Sequence, residues 1–143
     1  MALDTRLSRV LHVLIHMHLK GGKTTSDTIA QMLHTNPVVV RRMMAALRKA
    51  GYVTSSGGHG GGWVLTTTLD ALTIRDVYDV LAPTSLFAIG PAQDNPECLV
   101  EAAVNRCVEK EMRAAEEALL KQLAKVRLID LVPEPEQRFA GHG

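Results

Sequence analysis

Aromatic side chains make up only 3% of this 143-residue chain, so packing must rest on Leu, Val, Ile, Met and Ala. No stretch approaches the roughly 20 consecutive apolar residues that a membrane helix needs. Asp4, Arg6 and Arg9 interrupt any apolar leader at the start, so the expected location is the cytoplasm and no membrane partner is expected. Cysteine is scarce as well. Cys98 and Cys107 are the two in the sequence, too few for a disulfide framework, and a reducing compartment keeps them as thiols.

An excess of one charge is missing overall, at net +1, but the distribution is uneven. Residues 1–65 hold eight Lys/Arg against two Asp/Glu, and residues 66–143 hold eight against thirteen. A basic half joined to an acidic half points to a polyanion meeting the first half alone.

What is present is a succession of sided helices. Leu7, Leu11, Leu14 and Met17 recur at helical spacing from about Asp4 to Lys20, and Gly21 and Gly22 end that helix. Thr25 reads as an N-cap, with Ile29, Met32 and Leu33 inward on a short helix to about His34. Asn36 followed by Pro37 is a second N-cap with proline at the first helical position, where its missing N–H costs nothing. That third helix runs to Ala50, with Gly51 as its stop. Two helices separated by about three residues have the spacing of a helix-turn-helix.

The third helix is two-faced. Val40, Met44 and Leu47 form an inward stripe, whereas Arg41, Arg42, Ala45, Arg48 and Lys49 lie away from it. A basic front with small residues suits a DNA major groove. Strands are expected at Tyr52–Ser55 and Trp63–Thr67, around a turn of Ser56, five glycines and His59. Next comes a helix opened by Thr73 and Asp76 as capping-box partners, with Leu72 and Val77 as its hydrophobic staple, ending before Pro83. Asn95-Pro96 repeats the cap signal and predicts a long helix to about Lys125, roughly 45 Å at 1.5 Å per residue. Its apolar positions Val104, Val108, Met112, Ala115, Leu119, Leu123 and Val126 form a stripe too long for so small a domain to shield, and a second copy is the simplest cover.

The expected fold is therefore mainly α with a small β-wing, a winged helix-turn-helix plus a long C-terminal dimerisation helix. Its divisions are residues 1–82 for DNA binding, 83–95 as connecting loop, 96–132 as dimerisation helix and cap, and 133–143 as tail. Catalysis is not expected. The glycine run precedes a strand instead of opening a helix, and no Lys follows it, so it does not cradle a phosphate. No nucleophile, base or carboxylate pair has a recognisable setting.

The order of these parts resembles the Rrf-two family of bacterial winged-helix transcription regulators. The residues that carry it are Ile29-Ala30, the run Leu47 to Val53, Gly60-Gly61-Gly62-Trp63-Val64-Leu65, Leu72 to Val77, and Leu128 to Leu131. The resemblance implies a DNA-binding regulator acting as a homodimer on a palindromic operator, with the long helices crossed. This chain departs from the family in three places. Cluster-bearing members carry three closely spaced cysteines in the loop and at the start of the long helix, and here Cys98 alone falls at such a position, the last of the three. Arg41 stands where the family often has an acidic residue. Gly57 replaces an arginine common near the wing, leaving His59 as the polar wing-tip side chain.

On this reading Lys23, Thr25 and Asn36 touch phosphates. Val38, Arg41, Arg42 and Ala45 face base edges, Arg48 and Lys49 address the backbone, and His59, Gly60 and Gly61 lie along the minor groove. Cys98, placed by Asn95 at the third helical position, is a candidate thiol sensor, while Cys107 reads as packing. The two cannot pair within one helix, because nine residues separate them by about 13 Å. No cofactor is expected: two thiols fall short of the four ligands of an ordinary iron–sulfur cluster, unless both subunits contribute. Among His12, His16 and His18, an i, i+4 pair could share an ion, but nothing nearby supplies a third ligand, and no metal is expected. The rival readings are a protein–protein module that has lost DNA binding, and a regulator gated by a small ligand beside Leu86, Phe87 and Ile89.

Overall fold

A computed structural model describes residues 4–57, 61–81, 87 and 89–134. The order is α1 (Arg6–Lys20), α2 (Ser26–Leu33), α3 (Pro37–Lys49), β1 (Val53–Ser56), β2 (Gly62–Leu65), α4 (Ile74–Leu81) and α5 (Leu99–Leu123). Short 3-10 turns lie at Leu69–Ala71 and Leu128–Leu131. This is a mainly helical winged helix with a two-stranded wing and a long C-terminal helix.

Local chemistry explains most of the boundaries. Thr25 Oγ1 accepts the Thr28 N–H at 3.1 Å, and Asn36 Oδ1 accepts from Val38 and Val39 at 3.0 and 3.1 Å, so both N-caps form. Gly21 and Gly51 take positive φ at the ends of α1 and α3, where a side chain would be strained. The capping box of α4 is complete. Thr73 N–H donates to Asp76 Oδ2 at 2.8 Å, and Asp76 N–H donates to Thr73 Oγ1 at 3.2 Å.

One core gathers Val10, Val13, Leu14 and Met17 of α1, Ile29 of α2, Val40, Met44 and Leu47 of α3, Val53, Leu69, Leu72, Val77 and Leu128. The α3 stripe is as the spacing predicts. On α1 the buried face is rotated from the expected one: Val10 and Val13 are buried with Leu14 and Met17, while Leu7 and Leu11 are half-buried at its edge. On α2, Ala30 is buried beside Ile29, and Met32 and Leu33 are only half-buried. The helical period is right in both cases, but the face depends on which neighbours the helix meets.

The strands pair antiparallel from Val53 opposite Leu65 to Ser56 opposite Gly62, one or two residues off the expected bounds. Backbone hydrogen bonds run both ways between Thr24 and Trp63, at 2.9 and 2.8 Å, an isolated antiparallel bridge beside the two-stranded wing. Trp63 indole N–H also donates to Ser26 Oγ at 3.0 Å. These contacts tie the wing to the start of α2. A methyl on Gly62 would meet the Thr24 carbonyl oxygen at 2.9 Å, so Gly62→Ala should cost about 1–3 kcal/mol, read as a lower urea midpoint with unchanged slope.

The largest correction concerns α5. It begins at Leu99, three residues after Pro96, and Asn95 instead closes a turn in which its carbonyl accepts the Cys98 N–H at 3.0 Å. Asn95 and Pro96 therefore make a turn, not a cap. The 25-residue helix spans roughly 37 Å, and none of its residues is buried. Beyond it the chain returns to the core. Ile74 N–H donates to the Val126 carbonyl and Leu128 N–H to the Leu72 carbonyl, each at 2.9 Å.

Candidate nucleic-acid interface

The proposed DNA face begins from the two N-caps. Capping occupies the Asn36 side-chain oxygen at the exposed start of α3, where the helix dipole favours a phosphate. The Thr25 hydroxyl is more committed: besides accepting the Thr28 N–H, it donates to Thr28 Oγ1 at 2.9 Å. Lys23 is exposed next to Thr24, the residue bonded to the wing. Lys23 and Thr25 therefore flank the seam between wing and helix-turn-helix.

Burial of Val40, Met44 and Leu47 turns the rest of α3 outward. Val38, Arg41, Arg42, Ala45, Arg48 and Lys49 are all exposed, and α3 contains no acidic residue. Val38 keeps 54% of its surface open, an apolar side chain left out of the core on a basic face. Arg42 also borders a cleft shared with α1 and α4. On the wing, Gly61 is half-buried before β2, while His59 and Gly60 lie outside the described residues.

The proposed dimerisation stripe divides into two parts. Val104, Ala115 and Leu119 are exposed, whereas Val108, Met112, Leu123 and Val126 are half-buried against the chain itself. Sequence reasoning missed the still more open Leu99 and Val100, at 85% and 72%, since its apolar stripe began at Val104. It also missed Asn105, which fastens the connecting loop: its Oδ1 accepts the Ala92 N–H at 3.2 Å and its amide donates to the Ala92 carbonyl at 2.8 Å. Glu101 accepts the Asn95 N–H at 2.7 Å. No local pattern marks such side chain-to-backbone bonds in advance. Phe87 and Ile89 border a depression of about 260 Å³ with Val108 and Met112; Leu86 lies outside the described residues.

A family model described as Rrf2, iron-dependent transcriptional regulator, matches residues 3–134. The chain belongs to this family. YwnA of Bacillus subtilis, whose name describes an HTH-type transcriptional regulator, is 31% identical over 131 residues, covering 91% of this chain and 96% of YwnA. The winged-helix fold recurs in a transcriptional regulator from Lactobacillus plantarum, with TM-score 0.77 and 23% identity over 99% of this chain and 93% of that one. It recurs again in CymR of Bacillus subtilis, with TM-score 0.58 and 24% identity over 92% and 96%. This Rrf2 protein is a DNA-binding transcription regulator, and its relatives are regulators too.

Iron dependence in the family description raises the question of ligands. Cys98 is half-buried as the cap residue of α5, outside the first turn where it was expected, and its sulfur accepts no cap hydrogen bond. Cys107 is exposed further along α5. Among the described residues no three His, Cys, Asp or Glu side chains gather where a metal ion could be held. The His12 and His16 rings approach to 4.7 Å between centroids. Burial, then the neighbouring His12, lowers the His16 pKa. An ordinary cluster needs four ligands, mostly thiolates, and each chain carries two cysteines.

Proposed function

We propose that this Rrf2 regulator binds a palindromic operator as a homodimer in the cytoplasm, without a bound cofactor and without catalysing a reaction. The observation that carries the reading is α5, a 25-residue helix with no buried side chain and with Leu99, Val100 and Val104 in the open. An apolar edge of that length calls for cover, and a two-fold partner covers it with the same surface. Pairing the rods presents two α3 helices, matching half-sites about one helical turn, or a multiple of it, apart. Lys23, Thr25 and Asn36 would hold phosphates. Val38, Arg41, Arg42 and Ala45 would read bases, Arg48 and Lys49 would hold the backbone, and His59, Gly60 and Gly61 would follow the minor groove. Cys98, at the joint between loop and rod, is the thiol through which an oxidant would act.

Sedimentation equilibrium and selection from a random duplex library test this together. A dimer selecting inverted repeats is expected; a monomer, or selected sequences without two-fold symmetry, would overturn it. On the selected operator, Arg41→Ala should cost about 1–3 kcal/mol and relax choice at one base pair of each half-site. Lys49→Ala should instead weaken all sequences alike and lower the salt slope by about 1 per copy. An unchanged motif with Arg41→Ala would move the reading face elsewhere on α3.

A further inference from the structure

A cleft of about 400 Å³ lies between the start of α1, one face of α3 and the end of α4. Its walls are apolar, with Val10 from α1, Met43 and Ala46 from α3 and Leu81 from α4. Three guanidinium side chains border it, those of Arg6, Arg9 and Arg42, and among the described residues no carboxylate lines it. Arg6 pairs with Asp4 at 2.8 Å. Among the described residues, Arg9 and Arg42 enter no ion pair.

Cations spread over water-filled space repel one another and gain from an anion placed between them. Apolar walls of this size favour a small molecule with a greasy body, and guanidinium groups match a carboxylate in shape and charge. We propose that the cleft binds a small organic monoanion, a carboxylate with an aliphatic body, and that this ligand acts as an effector. The body would lie against Met43, Ala46 and Leu81, with the head group between Arg9 and Arg42.

The consequence for regulation follows from the position of Arg42. It stands on α3 beside Arg41, at the border between the cleft and the face assigned to DNA. A carboxylate that engages its guanidinium neutralises one positive charge of that face and draws the side chain toward α1. Operator affinity should then fall when the cleft fills. The binding site stands on the cleft alone, whereas the coupling rests on the DNA face proposed above.

Calorimetric titration of the full chain with octanoate, and with octanol as the uncharged counterpart, tests the site without DNA. Saturable binding of one octanoate per chain is expected, about tenfold tighter than octanol. Arg9→Gln should weaken octanoate about tenfold and leave octanol unchanged, while Ala46→Phe should abolish both. Arg9 is exposed, so its variant keeps the test sound should Ala46→Phe disturb folding. Equal affinity for octanoate and octanol, or indifference to Arg9→Gln, overturns the site. If Ala46→Phe instead shifts sedimentation toward a smaller species, the cleft is filled by a second copy and the ligand proposal falls. Fluorescence anisotropy with the selected operator reads the coupling: at saturating octanoate its affinity should fall about tenfold or more. An unchanged affinity, with octanoate bound, overturns the effector role and leaves DNA binding untouched.

Discussion

Val104→Asp should convert the regulator to a monomer and remove tight operator binding while leaving the winged helix folded. Val104 is 54% exposed in the single chain, so a carboxylate there meets water and costs the protomer little. In the paired rods the same position would be covered, and an unpaired charge taken out of water costs several kcal/mol. Two-fold symmetry introduces that cost twice. A loss of about 4 kcal/mol raises the dissociation constant about a thousandfold. Sedimentation equilibrium measures the first effect, anisotropy with the operator the second, and far-ultraviolet dichroism checks the fold. A dimer that survives the substitution would place the contact away from this edge of α5.

Leu128→Ala should destabilise the whole chain by about 2–5 kcal/mol. Leu128 is fully buried among the core residues of the winged helix, although it follows the long helix in sequence. Its backbone N–H is held by Leu72, and the adjacent Val126 carbonyl accepts from Ile74. Truncating it leaves a cavity beneath the joint that carries α5. Leu131, in the same turn but 38% exposed, should cost less than about 1 kcal/mol when truncated, because its side chain already contacts water. Urea denaturation of the two variants gives the comparison, and equal losses would mean that the turn is not part of the core.

Sequence reasoning worked best where a single residue type controls a backbone hydrogen bond. Thr25, Asn36 and the Thr73–Asp76 pair cap their helices as their chemistry predicts, because a short polar side chain at that point competes with water for unpaired N–H groups. Asn95-Pro96 has the same composition as Asn36-Pro37 and yet starts no helix. The difference is that Glu101 takes the Asn95 N–H and the Asn95 carbonyl closes a turn with Cys98, which delays α5. The rotated face of α1 has a related origin. Leu7 and Val10 are both apolar at compatible spacing, and the choice between them is made by α4, β2 and the Leu128 turn, which pack against that helix from distant parts of the chain.

The amino-acid order alone determined the family resemblance, carried by the succession of motifs, and also the helical period, the capped starts of α2, α3 and α4 and the basic face of α3, since each of these depends on residues within a turn or two of one another. Tertiary structure decided the rest: the Thr24–Trp63 seam that seats the wing, the Asn105 hold on the connecting loop, the return of Leu128 to the core and the arginine-bordered cleft. Each of those joins groups far apart in the chain, and such contacts form only once the intervening backbone is folded and its polar groups have found partners.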